Sequence, residues 1–184
     1  ATHVADIVSE TIIRSDGNVI RTNSGWYNAA ADNATLYNRS TLLSKDGKTL
    51  VGDTVYYSRR NGYGEAKGNV ILTDPKHKVI LDGGYGYHNE NAKMSYVTHH
   101  ARAREFSQKD TLYLHGDTMR TFVDTASHRV LTAYPRVRFY RVDVQGLCDS
   151  MAFSQADTIV RMYRHALLWN DNKQISGEQI NVHL

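Results

Sequence analysis

Along this chain apolar side chains either alternate with polar ones, as in Leu112-Tyr113-Leu114, or run uninterrupted for a few residues, as in Val70-Ile71-Leu72-Thr73. Both patterns belong to strands, and Val, Ile, Tyr, Thr and Phe, the residues that fit a pleated surface, are abundant in them. No long stretch carries the 3.6-residue period of a helix. The strand stretches are Thr11 to Arg14, Val19 to Arg21, Leu50 to Tyr57, Gly64 to Leu72, Lys78 to Leu81, Tyr85 to Tyr87, Met94 to Val97, Ala101 to Phe106, Thr111 to Met119, Val130-Leu131, Arg136 to Val142, Ile159 to Tyr163, Leu167 to Trp169, and Gln179 to Leu184. Asp16-Gly17, Asp46-Gly47 and Asn61-Gly62 are two-residue hairpin signals between them, Pro75 marks another turn, and Asn89 to Asn91 separates two more strands. Ala29 to Ala34 is read as loop or short strand. The sum is an all-β, antiparallel array of about a dozen strands or more.

One phrase recurs through the array: apolar, any residue, Gly, acid, any residue, apolar. It is clearest around Gly52-Asp53, in Leu114-His115-Gly116-Asp117-Thr118-Met119 and in Ile175-Ser176-Gly177-Glu178-Gln179-Ile180. Weaker copies stand at Leu81-Asp82-Gly83-Gly84 and Val144-Gln145-Gly146, with Asp149-Ser150-Met151 displaced by a residue or two. From Gly25 through Gly52, Gly84, Gly116, Gly146 and Gly177 the interval is about 30 residues, and the chain reads as about five copies of one unit. The Gly is expected to begin or kink a strand, and the acid and Thr after it to satisfy backbone donors in a bend.

Alternation also sorts the faces. Val55 with Tyr57, Val70 with Leu72, Val79 with Leu81, Leu112 with Leu114, Met119 with Thr121, and Val137 with Phe139 are spaced two apart and share a side. Met151, Phe153, Ile159, Trp169, Ile175 and Ile180 extend this inward set, while Arg120, Arg136 and Arg138 belong in water. Met94, Met119, Met151 and Met162 are adaptable fillers that suit a flexible ligand and a loosely packed core equally.

The chain of 184 residues is long enough for one sizeable core, and with only 2 Pro and no low-complexity run, nothing marks a linker: residues 1–184 read as one domain. Hydrophobic residues at 41% and charged ones at 22% place it among folded proteins rather than disordered ones. A net charge of +3 is too small to imply a nucleic-acid partner. Cys148 has no second cysteine to pair with, so cysteine usage selects no compartment. No apolar run approaches the roughly 20 residues of a helical membrane span. No basic-then-apolar leader opens the chain at Ala1, so a signal peptide, if the gene encodes one, has been removed or left outside this sequence.

Gly52-Asp53-Thr54-Val55-Tyr56-Tyr57, then Gly64-Glu65-Ala66-Lys67-Gly68-Asn69-Val70, then the stretch from Trp169 through Ile175-Ser176-Gly177-Glu178-Gln179-Ile180 together resemble the OstA/LptA family, most closely its OstA-like members from the Bacteroides group. The likeness runs from about Gly25 onward. It implies a twisted antiparallel β-jellyroll, V-shaped in section, whose two sheets enclose an apolar groove open along its length. It implies a periplasmic, non-enzymatic role without cofactor, in which the groove receives the acyl chains of lipopolysaccharide or lipid A. Partners are then other Lpt-type envelope components or further copies joined edge to edge. On this resemblance the inward set from Val55 to Trp169 becomes the lipid-contacting surface.

The same inward set describes the dry core of a purely structural β-array. A third reading is a glycan-binding module, since 12 Tyr and 2 Trp offer rings for stacking on sugars. An outward row of aromatics would favour glycan, and a continuous inward trough would favour lipid. Arg59-Arg60, Arg102 with Arg104, and Arg136 with Arg138 and Arg141 form basic clusters that at a groove mouth would meet lipid phosphates, and on a strand face would be solvated. His99-His100 points to opposite sides if extended, and no His-x-His or Cys-x-x-Cys spacing marks a metal site. No Gly-x-Ser-x-Gly elbow or phosphate loop anchors an enzyme reading. Asn33-Ala34-Thr35 and Asn38-Arg39-Ser40 match the short glycosylation pattern and decide nothing. The final stretch still alternates at Leu184, so the natural chain is expected to continue past it or to dock end to end.

Overall fold

The computed structural model describes residues 3–15, 17–106 and 108–183; Ala1, Asp16 of the first hairpin signal and Leu184 of the final strand lie outside them. Among the described residues every regular element is a strand. Eight short ones, β1 (Val4–Ile7), β2 (Thr11–Ser15), β3 (Asn18–Thr22), β4 (Ser24–Asn28), β5 (Asn33–Tyr37), β6 (Ser40–Leu43), β7 (Thr49–Gly52) and β8 (Thr54–Ser58), precede two long ones, β9 (Tyr63–Asp74) and β10 (Val79–Asn89). The same arrangement follows: β11 (Met94–Thr98), β12 (Arg102–Glu105), β13 (Leu112–His115), β14 (Thr118–Val123), β15 (Arg129–Tyr134), β16 (Val137–Arg141), β17 (Val144–Cys148) and β18 (Ser150–Ser154), then long β19 (Ile159–Asn170) and β20 (Lys173–His183).

The strands form two antiparallel ladders that share the four long strands. One runs β1, β4, β5, β8, β9, β10, β11, β14, β15, β18, β19, β20. The other runs β2, β3, β6, β7, β9, β10, β12, β13, β16, β17, β19, β20. Each repeat of the sequence is therefore one lap: a hairpin in the first ladder, a corner, a hairpin in the second, and a corner back. Strand number exceeds the sequence reading because a corner cuts one apolar stretch in two, as at Asp53 between β7 and β8. The opposite happens at Gly83-Gly84, where Lys78 to Leu81 and Tyr85 to Tyr87, which read as separate strands, fuse in β10 around a register shift.

Two kinds of corner alternate. At the first stands the Gly-acid pair, a bend at Gly52-Asp53 and at Gly116-Asp117, whereas Gly177-Glu178 runs on inside β20. At the second, consecutive residues adopt positive φ: Asn38 and Arg39 (60° and 62°), Gly68 and Asn69 (73° and 45°), His99 and His100 (62° and 62°), Arg164 and His165 (60° and 50°), with Arg136 (57°) following Pro135. Such conformations are unfavourable for side-chain-bearing residues. They persist because the two kinds of corner hydrogen-bond to each other: Asp53 N–H donates to Gly68 C=O at 3.0 Å, Gly84 N–H to His99 C=O at 3.0 Å, and Asp117 N–H to Pro135 C=O at 3.2 Å.

The core lies inside this spine. Across the first ladder Leu36, Val55, Ala66, Gly86, Val97, Met119, Ala133, Met151, Met162 and Ile180 stand in direct register, and all are buried. Next to the corners the second ladder carries only small or medium residues: Ser40, Gly52, Val70, Gly83, Ala101, Gly116, Val137, Cys148 and Ala166. They must be small, because here the two ladders converge. A Cβ on Gly83 would come within 2.6 Å of Val97 Cγ1 and 2.9 Å of Thr98 O. Gly146, which the sequence pattern offered as a corner, is not one: the corner is Cys148-Asp149-Ser150, and Gly146 is needed because the Phe139 ring covers it at 2.6 Å from a Cβ position.

Gly83→Ala should lower stability by about 1–3 kcal/mol in urea unfolding, since backbone has to shift to admit the methyl group. Gly177→Ala, where the nearest atom stands at 3.4 Å, should stay within about 0.5 kcal/mol of the parent.

Candidate functional site

One row beyond the corners, the inner face of the second ladder is apolar from end to end. Ile13, Ile20, Leu42, Leu50, Leu72, Leu81, Ala103, Leu114, Phe139, Gly146, Leu168 and Ile175 are each the direct cross-strand partner of the next. From Ile13 to Phe139 every member is half-buried, so the row keeps apolar surface open. Leu81, Ala103, Leu114 and Phe139 rest on one buried cluster with Val97, Met119, Val137 and Met162, and Leu42 and Leu50 rest on another with Leu36, Val55 and Val70. Between Leu42 and Phe139 there are six interstrand steps of about 4.8 Å, a row of about 29 Å.

The rim of that face is charged. In the same phase, one step further out, stand Lys48, Asp74, Glu105 and Arg141 among Val79, Leu112 and Val144. Lys48 Nζ is 3.4 Å from Asp74 Oδ2, and His77 Nδ1 is 2.8 Å from the same oxygen. Burial alone would raise the Asp74 carboxyl, but hydrogen bonds from the His77 ring and backbone and the nearby Lys48 ammonium outweigh it and hold its pKa at about 2. On the first ladder the equivalent rim is Tyr57, His88, Ser95 and Thr121 in the middle of the chain and Leu131, Phe153 and Val160 towards its end. His88 Nδ1 lies 2.8 Å from Ser95 Oγ.

Sixteen of the residues that alternation placed inward are on the inner face: Val55, Tyr57, Val70, Leu72, Val79, Leu81, Leu112, Leu114, Met119, Thr121, Val137, Phe139, Met151, Phe153, Ile175 and Ile180. Ile159 and Trp169 are not. Ile159 pairs with Ser154 and His183 on the outer face, one residue out of phase with Val160, the partner of inward Phe153. Trp169 also faces out, between Gln145 and Gln174, and its indole N–H donates to Gln174 Oε1 at 2.8 Å. Leu167-Leu168-Trp169 is apolar throughout, so alternation could not choose among the three. Met94 likewise faces out beside Phe122, whereas Met119, Met151 and Met162 are buried inside.

The reading missed Leu36, Ala66, Val97, Ala133, Ala166 and Leu168. A second phrase would have found them: apolar, any residue, a pair of positive-φ residues, small, any residue, apolar. Leu36-Tyr37-Asn38-Arg39-Ser40-Thr41-Leu42, Val97-Thr98-His99-His100-Ala101-Arg102-Ala103 and Met162-Tyr163-Arg164-His165-Ala166-Leu167-Leu168 all follow it, half a period from the Gly-acid phrase.

The arginine clusters divide between the two readings. Arg59 and Arg60 in the turn after β8 and Arg141 at the end of β16 are on the rims, but Arg102, Arg104 and Arg138 point away from the inner face. The outward row of aromatics exists, on β8 to β11: Tyr87 and Tyr96 stack with centroids 4.9 Å apart at 17°, and Tyr63 meets Tyr87 edge-on at 5.4 Å. These rings are half-buried by one another, and Tyr85 O–H donates to Glu65 at 2.6 Å, so the row covers the sheet with its own side chains. Burial pushes the Cys148 thiol up to about 11, which leaves it a core residue rather than a nucleophile.

Leu168→Ala should cost about 2–5 kcal/mol in urea unfolding, and Trp169→Ala no more than about 1. Asp74 contributes stability that is fully present above about pH 4, its unfolded-state range, and is lost as pH falls through its folded pKa of about 2. The parent should therefore lose an advantage of about 1–2 kcal/mol over Asp74→Asn between those values, as read from their unfolding midpoints.

No protein-family model matches the chain, and no curated relative is detected by its sequence. Its structure is similar to that of LptH from Pseudomonas aeruginosa, described as the LptA homologous periplasmic component of the conserved lipopolysaccharide transport device, with a TM-score of 0.53 over 74% of this chain and 94% of that one. Identity over the match is 14%, so the likeness is one of fold. The chain is an all-β, antiparallel jellyroll of the LptA-like kind.

Proposed function

We propose that this chain is a non-enzymatic periplasmic carrier for lipopolysaccharide or its lipid A portion, sheltering acyl chains along the inner face and handing them on between envelope components. The observation that carries this is the registered row from Ile13 to Phe139, apolar at every strand and only half-buried. An acyl chain gains about 0.8 kcal/mol per buried CH₂, so a long trough holds one firmly without specific hydrogen bonds. Binding of this kind tolerates chains of different length. The charged rim of Lys48, Asp74, Glu105 and Arg141 then keeps the polar head at the water boundary.

The fold also leaves the ends free for assembly. Among the described residues β20 pairs with β19 alone, β1 with β4 alone and β2 with β3 alone, and their second edges offer backbone donors and acceptors to another copy or an Lpt-type partner. Lys173 to Gln179 on β20 are exposed throughout.

A photo-crosslinking amino acid placed in turn at Leu81, Leu114 and Phe139 should label lipopolysaccharide added to the purified protein. Leu147, exposed and apolar but on the outer face, should not. Equal labelling at all four would mean non-specific adhesion, and labelling at none would leave the chain a structural array.

A further inference from the structure

The outer face of the second ladder carries a groove of about 460 Å³ where β10, β12, β13 and β16 lie side by side, a volume in the range of small-molecule sites. Two registered rows line it. The first is Asp82, Arg102, His115, Arg138 and the second Arg104, Tyr113, Tyr140. We propose that this groove binds a sugar bearing a phosphate group, independently of whether the inner face carries lipid.

The charge is built, not scattered. Asp82 is nearly buried and is the one carboxylate lining the groove. It receives Arg102 Nε at 2.7 Å and lies 3.4 Å from Arg104 Nη2, so one acid fixes two guanidinium groups side by side. Arg138, across β13, has no acidic partner among the described residues. Three guanidinium groups against one carboxylate leave a positive excess, and guanidinium forks match the oxygens of a phosphate. The field is felt locally: burial and the charges of Arg138, His100, Arg102 and Arg136 all push the His115 imidazole below its usual pKa, so near neutral pH it offers a lone pair as well as an N–H.

The rings select the rest of the ligand. Tyr113 and Tyr140 are cross-strand partners and each is 51% exposed, unlike Tyr63, Tyr87 and Tyr96 on the first ladder, which cover one another. Two open phenol faces beside Arg104 suit the C–H face of a sugar, whose hydroxyls can donate to Asp82 and to neutral His115. A bare anion would leave the rings uncovered. A neutral sugar would leave Arg138 unanswered.

Glucosamine 6-phosphate titrated into the purified chain should shift the amide resonances of β12, β13 and β16 and bind about tenfold or more tightly than either glucosamine or inorganic phosphate. Arg138→Gln and Tyr113→Ala should each weaken it about tenfold while their unfolding midpoints stay at the parent's, and Arg161→Gln, on the outer face of β19, should change nothing. Inorganic phosphate binding as well as the sugar phosphate, adenosine monophosphate binding better, or shifts confined to other strands would each overturn the proposal. Competition by added lipid A would identify a glycolipid headgroup as the natural source. Binding unaffected by lipid A would identify a free sugar phosphate.

Discussion

The structure depends on how two sheets can share strands without leaving a backbone hydrogen bond unmade. A strand passing from one ladder to the other must bend sharply, and a bend takes N–H and C=O groups out of line with their neighbours. Here the bend lies beside residues at positive φ, a pair at Gly68-Asn69 and Arg136 alone after Pro135, and the two sides are joined by main-chain hydrogen bonds, as Asp53 is to Gly68 and Asp117 to Pro135. Asn and His tolerate that conformation better than most residues, yet Arg39 and Arg164 adopt it as well. At Arg39 the side chain returns something: its guanidinium meets Asp53 at 3.1 Å and Asn69 C=O at 2.9 Å, tying three corners together. At Arg164 the corresponding pair with Asp149 spans 3.7 Å in the open, so the backbone bonds carry that corner.

The convergence at the spine then dictates the core. Where the ladders nearly touch stand Ser40, Gly52, Gly83, Ala101, Gly116, Cys148 and Ala166, with nothing larger than Val70 and Val137 among them; one step further in the row admits Leu36, Val55, Met119 and Met162 beside small Ala66 and Ala133. By the next row the facing surfaces no longer close on each other completely, and Leu42, Leu72, Leu81 and Leu114 keep part of their area open. An apolar surface left half-covered along the length of a sheet is costly unless something else covers it.

The sequence showed the strand class, the turns and the lap length, because period-2 alternation and Gly-acid bends are local signals. It showed inward facing wherever alternation was clean, as at Val70 and Leu72 or Leu112 and Leu114. It failed where a run was apolar throughout, so that Trp169 stood in for Leu168, and where a corner reset the phase. Asp53 is such a reset: Leu50 and Gly52 before it and Val55 after it all face inward, a spacing of two followed by a spacing of three. Arg102 and Arg138 were legible as outward, but nothing local told that β12 and β16 would flank the same strand, β13, and so bring them to one groove.

The open ends bear on the inner row as much as on the backbone. Among the described residues the row in the second ladder runs from Ile13 on β2 to Ile175 on β20, which is 51% exposed and has a cross-strand partner on one side only. A second copy adding its β2 to β20 would set Ile13 against that position and continue the row across the junction. Hydrogen bonding and apolar continuity then call for the same register, since a slip by one residue would turn the neighbour's whole inner face outward. The first ladder differs along its length, its rim passing from His88, Ser95 and Thr121 to Leu131, Phe153 and Val160. A chain of copies joined this way would be continuous in its floor but would repeat that polar-to-apolar change at every copy.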